Sequence, residues 1–259
     1  MRILLLSLIP VLLLNAQPGL RVKVRSRAEL FKGSGDWQAT ESPLALDPGR
    51  TAVIICDMWD KHWCRGASQR VDGLVARMAA TLDRARQRGI TIIHAPSDTM
   101  SFYEHSPQRA AMLRLEKVPL PAAKEMPLTP LPIDDSDGGC DTPGDKTFKA
   151  WTRQHAGIPV AATDLISDKG EEVYSALRLR GITHLLVMGV HTNMCILNRT
   201  FAIKQMTKWG VKCILVRDLT DAMYDPADKP YVSHERGTEL VIEHIEQQWC
   251  PSMLSAEIR

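Results

Sequence analysis

From residue 51 onward, apolar strand-like runs alternate with amphipathic stretches, and this alternation is the strongest constraint on the fold. The apolar runs occupy residues 51–56, 90–94, 183–188 and 211–216. Helical patterns fall between and after them, at 68–88, 106–117, 170–180, 194–209 and 233–248. We also expect a short strand near Trp151 and an edge strand within 252–258. Strands that alternate with helices predict an α/β fold with a mostly parallel sheet and right-handed crossovers.

The first residues have the pattern of a secretory signal peptide. Arg2 precedes an apolar run at 3–14, and small residues follow up to Ala16. The alternative is an N-terminal anchor helix, but a run of this length is too short to span a bilayer, and Pro10 interrupts it. The pattern therefore predicts a signal peptide at 1–16, a secreted or periplasmic protein, and no membrane attachment after cleavage.

The remaining sequence suits one large domain better than two small ones. We expect an irregular segment at 17–50 and a single α/β domain at 51–259. Lys and Arg total 32 against 30 Asp and Glu, and the formal net charge is +2. Because the charges are interspersed and nearly balanced, the composition gives no indication of a nucleic-acid partner.

The six cysteines fall into different local patterns. Cys56 and Cys213 lie within apolar runs and are expected to be buried thiols. Cys64, Cys140 and Cys250 lie in loop-like segments, where any two could form a disulfide. Residues 118–150 are rich in proline and acidic residues, and so long a loop in a compact domain is usually functional or disordered.

Two segments place reactive side chains at strand ends. The run at 51–56 leads directly into Asp57, and the run at 183–188 leads through Gly189 to Cys195. Thr192 or Asn193 could cap the following helix. A thiol at a helix N-terminus faces free N–H groups, so we expect the thiolate to be favoured. Because parallel strands end at one edge of a sheet, both side chains are expected at the same edge.

Together these segments resemble the isochorismatase-like cysteine hydrolases, a family that includes nicotinamidases. The resemblance covers residues 50–258 and rests on the strand ending in Asp57 and on the Gly-x-x-Thr-x-x-Cys pattern from Gly189 to Cys195. It implies a three-layer α/β/α fold with a six-stranded, mostly parallel sheet. It also implies a cis peptide at Val190–His191.

The resemblance further implies hydrolysis of a C–N bond in a small amide or carbamoyl compound. Cys195 would be the nucleophile, Asp57 the proton acceptor, and N–H groups at the helix start the oxyanion donors. The family also uses a basic residue, usually Lys, at a strand end before the helix at 170–180. Arg153 is the best match, with Lys149 and Lys169 as rivals.

Several other polar residues are candidates for ligand binding. Trp59, His62 and Trp63 follow Asp57, and His191 and Asn193 precede Cys195, so these five are expected to bind substrate. Nicotinamidases also carry a metal site after the second strand. Here Asp98 and His105 are weak candidates, but Met100 replaces the middle His. Because two ligands do not make a zinc site, no cofactor is expected.

The sequence leaves alternatives to the covalent hydrolase. One is a non-catalytic ligand-binding or assembly protein on the same fold, and another is ether hydrolysis without acylation, as in isochorismatases. The expected partner is a small-molecule substrate. Relatives are often dimers or tetramers, so the resemblance implies a homo-oligomer as one option.

Overall fold

The computed structural model describes residues 19–259. The predicted signal peptide lies outside them. Within these residues, none of the helices is both long and apolar enough to cross a membrane.

Eight strands and six α-helices form the described chain. The strands are β1 (Leu20–Glu29), β2 (Trp37–Leu46), β3 (Thr51–Cys56), β4 (Thr91–Ala95), β5 (Leu165–Ile166), β6 (His184–Val190), β7 (Lys212–Asp221) and β8 (Ser252–Met253). The helices are α1 (Arg65–Gln87), α2 (Pro107–Leu113), α3 (Gly170–Leu179), α4 (Cys195–Asn198), α5 (Ile203–Lys208) and α6 (His234–Gln248).

The strands form one sheet in the order β2-β1-β8-β7-β6-β3-β4-β5. The six strands from β8 to β5 are parallel to one another, as predicted. The chain runs outward from β3 through β4 to β5, and then returns to the other side of β3 with β6. Strand order therefore reverses between β3 and β6, and in such sheets the crevice at this reversal is the usual ligand site.

Alternating residues of the central strands face two separate cores. Ala52 and Ile54 of β3 pack in the core that contains buried residues of α2 to α6. Val53 and Ile55 face the opposite core, where α1 contributes its apolar stripe, made of Val71, Leu74, Val75, Met78 and Leu82. This two-sided burial explains why β3 shows no polar alternation. The three-layer α/β/α prediction is confirmed.

The segment 17–50, expected to be irregular, instead contains a long β-hairpin. Strands β1 and β2 are antiparallel over ten residue pairs, and β1 pairs with β8 at Arg25. Buried Leu20, Val22 and Val24 alternate with more exposed residues along β1. This period of two was the missed strand signal. The hairpin adds two antiparallel strands to the six parallel ones, so the sheet has eight strands. It also covers the strand at 252–253, which was predicted to be an edge strand.

A segment without helices or strands runs from residue 114 to residue 164. It includes the predicted loop at 118–150. The short strand expected near Trp151 is absent, and the chain joins the sheet later, as β5. A disulfide between Cys64 and Cys140 fixes the segment beside the start of α1, with 5.7 Å between the Cα atoms. Cys250 is a buried free thiol.

Candidate active site

Asp57 follows β3 directly and is completely buried. One carboxylate oxygen accepts a hydrogen bond from the Ser97 backbone N–H at 2.7 Å, and the other accepts one from Arg199 Nε at 2.9 Å. The backbone of Asp57 has φ of 47°, a conformation that is uncommon for a residue with a side chain. Burial raises the pKa of Asp57, although Arg199 and Ser97 oppose this effect.

Arg199 is the basic residue that contacts Asp57. It follows α4 directly, and its backbone N–H bonds the carbonyl of Cys195. Its guanidinium lies between two carboxylates, with Nε on Asp57 and Nη2 3.4 Å from an oxygen of Asp98. Neighbouring Asp57 and Cys195 raise the pKa of Arg199 against the opposing effect of burial. The guanidinium therefore stays charged beside both groups.

The three basic residues considered from the sequence do not occupy this position. The guanidinium of Arg153 lies over the Phe102 ring at 5.3 Å, and no strand precedes it. The Lys149 ammonium donates to the backbone carbonyl of Asp98 at 2.7 Å. Lys169 is exposed at the start of α3. The basic residue in contact with Asp57 is therefore Arg199, and Arg153, which the sequence favoured, lies elsewhere.

Cys195 opens α4 and is half-buried by surface area. Burial raises its pKa to about 12, and Asp57 adds to the rise, whereas Arg199 and the backbone N–H of His191 lower it. These surroundings favour the neutral thiol over the thiolate that the sequence led us to expect. The expected long helix is split into α4 and α5, so only one short turn supplies the dipole. Neither Thr192 nor Asn193 caps it, because the cap residue is Met194 and no side chain caps the helix.

Close packing between β3 and β6 determines the turn before Cys195. Gly189 has φ of 116°, and an added Cβ would lie 2.0 Å from the carbonyl oxygen of Cys56. Only glycine allows this approach. The peptide between Val190 and His191 is cis, at the position that the resemblance implied.

Aromatic rings cover the Asp57 side of the site. Trp59 and Trp151 stack with centroids 4.1 Å apart and planes inclined by 8°. Trp59 Nε1 donates to the Ser97 carbonyl at 3.0 Å, and the Arg199 guanidinium lies 6.0 Å from the Trp59 ring. His62 is nearly parallel to Trp151 at 6.0 Å. Sequence reasoning missed Trp151, which belongs to the loop far from either motif.

The other predicted substrate-binding residues differ in their surroundings. The His191 ring is buried and meets His62 edge-on at 5.0 Å. Burial lowers the pKa of His191 well below its ordinary value and that of His62 to about 4. Asn193 is occupied by hydrogen bonds to Asp135 and to the backbone of Met223. Trp63 packs beside the Cys64–Cys140 disulfide, so it and Asn193 support the loop.

The metal candidates do not form a ligand set. Asp98 is paired with Arg199, a cation that would repel a metal ion, and His105 is exposed. Within residues 19–259, the only cluster with metal-ligand spacing contains Cys64, Cys140 and Asp145, and its two cysteines are joined in the disulfide. The residues present therefore do not fit a zinc site of the nicotinamidase type.

Solved structures with the isochorismatase-like hydrolase fold resemble this chain. A cysteine hydrolase from Pseudomonas syringae pv. phaseolicola 1448A has a TM-score of 0.53 and 19% identity, covering 82% of this chain and 92% of that chain. An isochorismatase from Pseudomonas putida KT2440 has a TM-score of 0.49 and 14% identity, with coverages of 81% and 90%. A pyrazinamidase of Pyrococcus horikoshii, in complex with zinc, has a TM-score of 0.45 and 16% identity, covering 79% of this chain and 99% of that chain.

The similarity to the Pseudomonas syringae cysteine hydrolase shows a shared fold, which agrees with the predicted three-layer α/β/α architecture. No protein-family model and no curated protein matches the sequence.

Proposed function

We propose that the protein is a cysteine hydrolase that cleaves a C–N bond in a small amide or carbamoyl compound. One observation carries this proposal. Asp57, Arg199 and Cys195 are brought together at the reversal point of a parallel sheet, and each shifts the pKa of another. Such coupled shifts in a crevice are typical of active sites.

In the first half of the reaction, Asp57 acts as the general base. The Cys195 sulfur attacks the carbonyl carbon while its proton moves to the Asp57 carboxylate, so a C–S bond forms and the carbonyl oxygen becomes an oxyanion. The intermediate collapses by breaking the C–N bond, and the leaving nitrogen takes the proton from Asp57. The products of this half are a thioester on Cys195 and a free amine or ammonia.

In the second half, Asp57 takes a proton from water, whose oxygen attacks the thioester carbon. The C–S bond then breaks, the acid is released, and Asp57 returns the proton to Cys195. Arg199 stabilises the ionised forms of both groups throughout.

The first turn of α4 supplies the proposed oxyanion donor. The N–H groups of Met194 and Ile196 already bond the carbonyl of His191, at 3.0 and 3.2 Å. The N–H of Cys195 lies between them, and the first N–H groups of a helix have no partner within it. This N–H is therefore our candidate for holding the developing oxyanion.

A second candidate reaction is hydrolysis without acylation, in which Asp57 transfers the proton and Cys195 shapes the site. The raised pKa of Cys195 favours this candidate, because a neutral thiol is a poor nucleophile. In the covalent reaction the thiol proton moves to Asp57 during the attack, so Cys195 does not need to be ionised beforehand.

We also propose that the protein is exported, on the strength of the N-terminal pattern. The Cys64–Cys140 disulfide supports this proposal, because disulfides persist in oxidising compartments. Assembly into a homo-oligomer stays a prediction.

Ammonia release from a panel of primary amides and ureas tests the proposed activity. We expect release by the wild type and none by Cys195→Ala, with circular dichroism unchanged. Cys213→Ala is the matched control, since it removes a buried thiol of β7 outside the site and should keep the activity. Equal activity in Cys195→Ala would exclude the covalent mechanism, and an inactive wild type across the panel would favour the non-catalytic alternative.

A further inference from the structure

The main chain at and after the proposed general base has an uncommon conformation. Asp57 has φ of 47°, and the N–H of Trp59 donates back to the Asp57 carbonyl at 2.8 Å. A residue with a side chain rarely adopts such a φ, and it keeps it only where the surrounding structure holds it in place. Because β3 ends at Cys56, the chain that follows depends on contacts from other segments.

The long segment without helices or strands supplies these contacts. The N–H of Asp60 donates to the carbonyl of Arg153 at 2.9 Å, and the N–H of His155 donates to the carbonyl of Met58 at 2.7 Å. These bonds pair the two stretches in antiparallel orientation. The main chain that follows Asp57 is therefore held by a short two-stranded pairing.

The carboxylate of Asp60 fixes one end of this pairing. One of its oxygens accepts from the Thr152 backbone N–H at 2.9 Å and from the Arg153 backbone N–H at 3.3 Å. The other oxygen accepts from Thr152 Oγ1 at 2.6 Å. Burial raises the pKa of Asp60, but these donors outweigh it and lower the pKa, so the carboxyl is ionised at neutral pH.

The same hydrogen bonds anchor the aromatic stack beside the site. Trp151 directly precedes the anchored residues, and its ring lies 4.1 Å from the ring of Trp59. The Trp59 ring lies 6.0 Å from the guanidinium of Arg199, and its Nε1 donates to the carbonyl of Ser97. The N–H of Ser97 in turn donates to the Asp57 carboxylate. A shift of the anchored stretch would therefore reach Asp57 through the main chain and through Trp59.

We propose that Asp60 is a positioning residue of the site. Its carboxylate fixes the stretch at 152–153, and this stretch holds both the main chain after Asp57 and the stack of Trp59 with Trp151. Asp60 acts through its hydrogen bonds and not through its charge. This inference rests on the proposed function for the role of Asp57 as general base.

Two substitutions of Asp60 separate hydrogen bonding from charge. Asp60→Ala removes all three bonds, whereas Asp60→Asn can keep them, because its amide oxygen accepts the two N–H groups and its amide nitrogen can donate to Thr152 Oγ1. We expect kcat for ammonia release to fall by about 10-fold or more in Asp60→Ala, since a small misplacement of a catalytic group is costly. In Asp60→Asn we expect a fall of no more than about 3-fold.

The stacked indoles of Trp59 and Trp151 give a readout that needs no substrate. Stacked indoles produce a coupled pair of circular dichroism bands, which are assigned here by their loss in Trp151→Phe. We expect Asp60→Ala to lose most of this signal and Asp60→Asn to keep it. Thr152→Val removes only the hydroxyl bond, so it should give an intermediate result, and it replaces Asp60→Ala if that variant does not fold.

Asp145→Ala is the matched control. Asp145 anchors the same long segment at another point, where it accepts from the backbone N–H of Arg65 at 2.8 Å and from Arg65 Nε at 3.0 Å. Because these bonds lie outside the 152–155 pairing, Asp145→Ala should leave kcat and the indole signal unchanged.

Three results would overturn the inference. The first is a wild-type kcat and indole signal in Asp60→Ala, and the second is an equal loss in Asp60→Asn and Asp60→Ala. The third is an equal effect of Asp145→Ala. A wild type that releases no ammonia would reject the proposed function, and the indole signals of the Asp60 variants would then decide the positioning role alone.

Discussion

Replacement of Arg199 by methionine should destabilise the protein through Asp57. The Arg199 Nε and the Asp57 oxygen are 2.9 Å apart, and Asp57 is fully buried. Two unit charges about 4 Å apart interact by about 4 kcal/mol at an effective dielectric constant of about 20. The Arg199 side chain is 32% exposed, so solvent screens part of this interaction. We therefore expect the free energy of unfolding at neutral pH to fall by about 2–3 kcal/mol.

Urea denaturation in a double-mutant cycle with Asp57→Asn measures this coupling. If the ion pair carries the effect, Arg199→Met should cost less than about 1 kcal/mol in the Asp57→Asn background. The pH dependence has a definite sign. Without Arg199 the pKa of Asp57 rises further, so ionisation of Asp57 penalises the folded state as pH rises through that value. The deficit of Arg199→Met should therefore shrink toward acidic pH.

Arg153→Met is the matched control, because Arg153 is the basic residue that the sequence favoured. Its side chain is exposed over Phe102, so its loss should change the free energy of unfolding by no more than about 0.5 kcal/mol. The reasoning fails if Arg153→Met and Arg199→Met cost the same. It also fails if the cost of Arg199→Met is unchanged in the Asp57→Asn background.

Two further predictions concern the thiols. The ionisation of Cys195 can be followed by titrating the ultraviolet absorbance of the thiolate in the wild type and in Cys195→Ala. The difference between the two should show no ionisation of Cys195 at neutral pH, because burial raises its pKa to about 12. A transition near neutral pH would contradict this prediction. Cys140→Ser removes a disulfide whose cysteines are 76 positions apart, so the free energy of unfolding measured in urea should fall by up to about 4 kcal/mol. Limited proteolysis of this variant should cut the 114–164 segment faster than in the wild type. Unchanged proteolysis would show that the disulfide does not hold this segment.

Much of the fold could be predicted because buried parallel strands leave a direct signal in the sequence. Strands β3 and β6 are apolar on both faces, and their ends correctly placed Asp57 and Cys195 on one edge. The period of two along β1 was a local strand signal that was overlooked, but the charged pairs that attach the hairpin to the rest, such as Arg25 with Glu246, could not be predicted. Such contacts between distant segments have no local signature.

The sequence predicted only those site residues that come shortly after the end of a strand, namely Asp57 and Cys195. Arg199 lies four residues after Cys195, a spacing that places two side chains on the same side of a helical turn, and this signal was available but unused. Trp151 could not be found in this way. Its place on Trp59 depends on the path of the 114–164 segment, which is set by the disulfide and by contacts such as Asp135 with Asn193.

The central claim is that Cys195 forms a covalent acyl intermediate while Asp57 carries the proton. Intact-mass measurement of the protein, quenched with acid during turnover of an amide from the panel, tests this claim most directly. We expect a mass gain equal to the acyl group, mapped to the peptide that contains Cys195 and absent from Cys195→Ala. Continued turnover with no adduct on the wild type, together with activity in Cys195→Ala, would contradict the account.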